Sequence, residues 1–190
     1  MPRGVDDFQA LADAPSLPPA GGKGVVIDDV HRNFLSWITM GGAAFSLDAS
    51  GKPLAGRAFK ASYEQAQGRL VLISRAFPRV DLRGTDRLTF DIAATTRTQF
   101  LVAVELRNPG NNQGPRYNTS LDVPGGQQPQ RQEMLFANFN ADPKSPAAPG
   151  GKLDPTLIKS ISFIDVTAAY GGAQQSNTIW IANLRAEGSQ

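Results

Sequence analysis

From Val25 onward, apolar residues alternate with polar ones or fall in short runs, and glycine, proline and asparagine clusters interrupt them at intervals of roughly ten residues. Leu88, Phe90 and Ile92 fall on one side of an extended segment, as do Phe100, Val102, Val104 and Leu106. Residues 57–63 alternate with one wet face. Turns are predicted at Asp48–Lys52 and at Gly68. Asp154 followed by Pro155 predicts a short helical turn leading into the strand ISFIDV. In TIWIANLRAE, Ile179, Ile181 and Leu184 alternate around an irregularity near Ala182–Asn183. The pattern predicts an all-β, jelly-roll β-sandwich of about nine or ten strands over residues 25–190.

The first 24 residues read differently. VDDFQALADA fits one short helix with Asp6 as its N-cap and a narrow apolar stripe, and PSLPPAGGKG is a linker that no regular element can use. Residues 1–24 are therefore expected to form a Pro/Gly-rich N-terminal arm carrying Phe8, Leu11 and Leu17 as its contact residues.

Composition narrows the chemistry. The 190 residues include no cysteine and one histidine, His31, which removes thiolate, disulfide, Cys–zinc and multi-histidine metal sites within the chain. No GxSxG, GxGxxG or phosphate-loop pattern occurs, so no catalytic residues and no cofactor are expected. The net charge is only +2, but ten Lys and Arg against five Asp and Glu lie between Arg57 and Arg116. That basicity is not interleaved with aromatics, which argues against nucleic acid. No apolar run approaches bilayer length and no signal peptide is visible, so a cytoplasmic location, or one peripheral to a membrane complex, is expected.

The order of segments carries a family resemblance. VVIDDV precedes Trp37, LVLISRAF leads into VDLRGTDRLTFDIAA, FLVAVELR is followed by a long loop and RYNTSLDVP, and QEMLFANF precedes GKLDPTLIKSISFIDV and NTIWIANLRAEG. This arrangement resembles galactose-binding-domain-like β-sandwiches, both the complex I intermediate-associated protein family and related carbohydrate-binding modules. It departs from the pattern in two places. Ala182 and Asn183 stand where an acidic residue follows the last isoleucine, and QQPQRQEMLF lacks the usual tryptophan. The resemblance also implies a structural calcium on Asp28, Asp29 and Asn183. Two carboxylates and an amide fall short of the six to eight oxygens calcium takes, so no metal is expected.

Two functional readings follow. In the first, the protein is a non-catalytic accessory or assembly subunit that docks on a larger protein complex. There the arm would act with Arg75, Arg79, Arg83 and Arg87, which recur four apart in an Arg-rich connection suited to an acidic partner. The second is a carbohydrate-binding module. Sugar faces stack on flat rings, and Tyr117 and Tyr170 lie beside long loops while Trp180 is free by alternation to point outward. Trp37, within FLSWITM, is expected in the core.

Overall fold

The computed structural model describes residues 24–28, 30, 36–77, 80–148, 151–169, 171 and 174–188. The arm with Phe8, Leu11 and Leu17, and also Asp29, His31, Arg79 and Tyr170, lie outside the described residues. In chain order the strands are β1 (Gly24–Val26), β2 (Trp37–Met40), β3 (Ala44–Asp48), β4 (Ala58–Gln65), β5 (Val71–Ala76) and β6 (Arg87–Ala94). There follow β7 (Thr98–Leu106), β8 (Arg116–Val123), β9 (Gln130–Leu135), β10 (Asn140–Ala141), β11 (Ile158–Asp165) and β12 (Gln175–Glu187). The strand expected at VVIDDV is short, Gly24–Val26, and β10, at two residues, is too brief to leave a periodicity.

The strands form two antiparallel sheets. The back sheet runs β3-β4-β12-β6-β9, and the front sheet runs β10-β8-β7-β11-β5-β2. β12 is the longest strand and is shared along one edge: β4 pairs with Gln175–Ile181, and β1 takes over at Arg185–Glu187. The changeover coincides with a bulge after Ala182, where Asn183 adopts a left-handed φ of 55°. The predicted turn at Asp154 is present: the Asp154 carboxylate accepts the Thr156 amide at 2.9 Å and Pro155 opens a 3-10 turn.

Apolar side chains of the two inner faces meet between the sheets, as strand alternation requires. Phe59, Phe90, Phe100, Phe163 and Trp37 are among the largest of them. Trp37 stacks on Phe59 with ring centroids 4.3 Å apart, and Phe163 meets the edges of Phe90 and Phe100.

Buried polar groups tie the sheets together at both ends. At one end, Ile27 and Asp28 donate their amides to Leu184 O of β12. The Asp28 carboxylate accepts Arg75 Nε at 2.9 Å and Trp37 Nε1 at 3.0 Å from the front sheet. Arg75 also donates to the carbonyls of Ile27 and Ala76. At the other end, Asp165 of β11 accepts Tyr63 Oη at 2.8 Å and Gln65 Nε2 at 2.7 Å from β4, together with the Thr167 amide. Asn177 of β12 joins this network through Tyr63 and Thr98.

Arg75 is thus 1% exposed, and its place in a surface Arg array is corrected. The side chain alternates inward with Val71 and Ile73, and the buried Asp28 charge compensates it. Burial pulls the guanidinium below its ordinary value, while the Asp28 charge and hydrogen bond oppose that shift. Replacing Arg75 by Met removes the buried guanidinium from the Asp28 carboxylate and is expected to cost about 3–5 kcal/mol in urea denaturation. Arg83→Ala, in the exposed turn, is expected to leave the denaturation midpoint where it is.

Candidate functional site

No described strand packs on the outer face of the front sheet. Its register aligns three rows across the strands. One row is apolar: Met40, Leu72, Ile164 and Leu101, ending at Ser120. The middle row begins with the exposed Ile38 and then carries smaller groups: Ser74, Ser162, Ala103, Asn118 and Asn140. The third runs Ala76, Ser160, Glu105 and Arg116.

Most of these residues are half-buried by their neighbours although no strand lies over them. The small middle row makes a shallow trough between a greasy wall and a polar wall. At a strand spacing of about 4.8 Å, the five strands from Ser74 to Asn140 give it a length of roughly 19 Å. Its centre is held by hydroxyls, with Ser162 Oγ on Ser74 Oγ at 2.9 Å and Ser74 Oγ on Ile161 O at 3.2 Å. Asn118, Ser120 and Ser160 side chains make no hydrogen bond among the described residues.

Loops close the trough at its polar side. Gly114 lies so near Leu106 that a Cβ would sit 1.6 Å from the Leu106 carbonyl oxygen, so only glycine lets the turn press against β7. The Gly114 amide donates to Glu105 Oε1 at 2.9 Å, and a hollow of about 240 Å³ lies among Glu105, Gln113, Arg116 and Ser145. A second hollow, about 380 Å³, lies by Gln99, Leu101, Ser120 and Asp122. The charges here are matched: Lys159 with Glu105 at 2.8 Å, Arg116 with Asp142 at 3.1 Å, and Arg97 with Asp122 at 2.6 Å.

The sequence-nominated residues do not converge. Trp180 does point to the outer side of the back sheet, but it is 6% exposed. The loop after β3 roofs it with Leu54, its Nε1 donates to Asp48 Oδ2 at 2.8 Å, and Lys60 Nζ stands 5.5 Å from its ring centroid. It is therefore no stacking platform. Tyr117 turns inward from β8 and is 3% exposed, because its register places it opposite core Val104.

Arg83 is exposed but closed on Asp81 of its own turn, and Arg87 binds Asp86 and Glu133. With Arg75 in the core, these three guanidiniums do not form one surface. Asp28 and Asn183 do not share an ion: Asp28 serves Arg75 and Trp37, and Asn183 Nδ2 donates to Asp91 Oδ2 at 2.6 Å. No cluster of three potential metal ligands occurs among the described residues. The trough residues escaped sequence reading because serine, alanine and asparagine on alternate strand positions look like any wet face. Only the pairing of distant strands makes a row of them.

No protein-family model matches the chain, and no curated protein does. Solved structures match it over nearly its whole length. The family 11 carbohydrate-binding module of a cellulosomal cellulase of Clostridium thermocellum aligns with a TM-score of 0.65 at 19% identity. That alignment covers 90% of this chain and 97% of the module.

The fold is that of the carbohydrate-binding modules.

A family 11 module from the same organism, in complex with a β-1,3-1,4-mixed-linked tetrasaccharide, gives 0.63 at 20% identity over 89% of this chain and 98% of its own. A family 30 module gives 0.53 at 12% identity over 82% and 78%.

Two measurements test the reading of Trp180. Trp180→Ala empties a roofed site and is expected to cost about 3–5 kcal/mol in chemical denaturation. Asp48 beneath it is held down to about 2, first by hydrogen bonds from Ser50, then by Trp180, with Lys60 adding charge. A carboxyl more acidic folded than unfolded contributes its stability in full above about pH 4 and loses it as the pH falls toward the folded value. The stability gap between the wild type and Asp48→Asn is therefore expected to narrow over that interval in pH-dependent denaturation curves.

Proposed function

We propose that the protein is a non-catalytic carbohydrate-binding domain whose ligand lies along the front-sheet trough. The observation that supports this most is the open, register-aligned trough, carried by a fold that spans nearly the full length of family 11 modules. A furrow lined by small hydroxyl and amide side chains, with an apolar wall on one side, suits a linear saccharide. Sugar hydroxyls find Asn118, Ser120 and Ser160, while the CH faces of the rings meet Leu72, Ile164 and Leu101. The matched charges along the rims favour a neutral chain over an acidic one.

Among the described residues, no aromatic ring lies in the outward rows of the front sheet, and the exposed Phe45 is on β3 of the back sheet. Trp37, Trp180, Tyr63 and Tyr117 are all buried. Contact on this face is aliphatic and hydrogen-bonded.

The docking reading draws less support. Arg75 serves the core and Arg83 and Arg87 answer acids of their own domain, while the arm lies outside the described residues. The likeness to complex I intermediate-associated proteins rests on the sequence segments alone.

Affinity electrophoresis through soluble mixed-linkage β-glucan and a panel of other neutral polysaccharides tests the proposal. The wild type is expected to be retarded by at least one of them. Ala103→Phe, which fills the middle of the trough without touching the core, is expected to abolish the retardation while leaving the denaturation midpoint within experimental scatter. Free migration of the wild type in every polysaccharide, or undiminished retardation of Ala103→Phe, would remove the trough as the site.

A further inference from the structure

A larger concavity lies past the β10 end of the trough, where Asn140 borders both. Between β9 and β10 the chain leaves the back sheet and enters the front sheet through a 3-10 turn, Phe136–Asn138. The two sheet edges diverge there, and the segment that follows residue 150 forms the far wall. The result is an open groove of about 740 Å³, within the range of small-molecule sites.

Its walls are mainly apolar. Leu135, Phe136, Phe139 and Leu153 line it, and Leu135 is 40% exposed. Two polar groups stand out in this apolar setting. Tyr117 lines the groove with its ring buried, yet its hydroxyl has no hydrogen bond among the described residues. Arg185 Nε is the one side-chain atom both sealed from solvent and without a hydrogen bond among those residues, so the Tyr117 hydroxyl is not sealed. The ring is buried while the hydroxyl stays accessible, so a ligand acceptor there would take the place of water on a positioned donor. Burial pushes the phenol above its ordinary value, so it stays protonated and able to donate.

The second polar group is Lys152, at the rim, which forms no ion pair among the described residues. The acid that lines the groove, Asp86, is already bound by Arg87 Nε at 2.7 Å. Lys152 is thus the lining charge with no opposite charge paired to it among the described residues.

We propose that this groove, which adjoins the β10 end of the trough, is a second ligand site that takes a small aryl carboxylate. The ring lies against Leu135, Phe136, Phe139 and Leu153, and the carboxylate accepts from the Tyr117 hydroxyl and faces the Lys152 ammonium. An apolar body alone would leave the phenol unanswered. A sugar would leave the four apolar walls and the ammonium unmatched.

The probe is trans-cinnamate at neutral pH, with cinnamyl alcohol as the uncharged comparison, followed by ligand-observed NMR titration of the full chain. Cinnamate is expected to bind and the alcohol to bind more weakly. Tyr117→Phe keeps the buried ring and removes only the hydroxyl, and is expected to weaken cinnamate about fivefold, the worth of one hydrogen bond. Lys152→Gln is expected to weaken it about threefold, in keeping with an exposed charge. Absence of cinnamate binding overturns the proposal, as does equal binding by the alcohol or wild-type affinity in either variant. Polysaccharide retardation measured on the same two variants is expected to stay at the wild-type level, so this proposal and the trough reading stand or fall separately.

Discussion

A guanidinium enclosed between two β-sheets needs a carboxylate, and Arg75 finds one in Asp28. Because Asp28 is anchored to β12 by its own amide, this pair spans the sandwich. It also positions Trp37, whose indole nitrogen shares the same carboxylate and whose ring stacks on Phe59. The start of the domain, one edge of the front sheet and the centre of the back sheet are thereby tied at one point. An apolar contact could slide there. A buried charge pair with fixed hydrogen-bond directions cannot, since its desolvation is offset only in one geometry.

The Asp165 network does the same at the opposite end of β12, with neutral partners on one carboxylate. Tyr63, Gln65 and Asn177 come from the back sheet, Asp165 and Thr98 from the front. Between the two ties the interior is apolar and aromatic. The consequence reaches the surface. Rows aligned across six strands remain aligned only while strand register is held, and a shift of one residue would turn the trough residues into the core and the core residues out. The polar ties are therefore part of what keeps Ser74, Ser162, Ala103 and Asn118 in line.

The sparse aromatic content takes on a particular meaning in this arrangement. The two tryptophans and two of the tyrosines are used for packing, for roofing or for answering buried acids. What remains for recognition on the front sheet is aliphatic and small-polar. The arginines show the same economy: Arg83, Arg87, Arg97 and Arg116 each meet an acid of the domain itself. Part of the basic stretch is thereby answered within the domain, by Asp81 and Asp86 of the stretch itself and by Asp122 and Asp142 from farther along the chain.

The all-β character, most strand positions, the turn at Asp154–Pro155 and the irregularity at Ala182–Asn183 were legible in the chain itself. These depend on side-chain alternation and on turn chemistry within a few residues. Trp37 was also legible as core, from its apolar surroundings. The fates of Arg75, Trp180 and Tyr117 were not. Alternation says that a side chain points to one face or the other, but whether that face is core, roofed or wet depends on what packs over it. For Trp180 the roof is a loop more than a hundred residues earlier in the chain, and for Arg75 the partner is Asp28 in a segment read only as a strand end. The trough and the groove beside Tyr117 belong to the same class, since each is built from strands and turns brought together by non-local pairing. Local sequence determined the strands; which rows they align, and which side chains are left facing a ligand, only the tertiary structure decided, because register and burial are properties of pairs of distant segments.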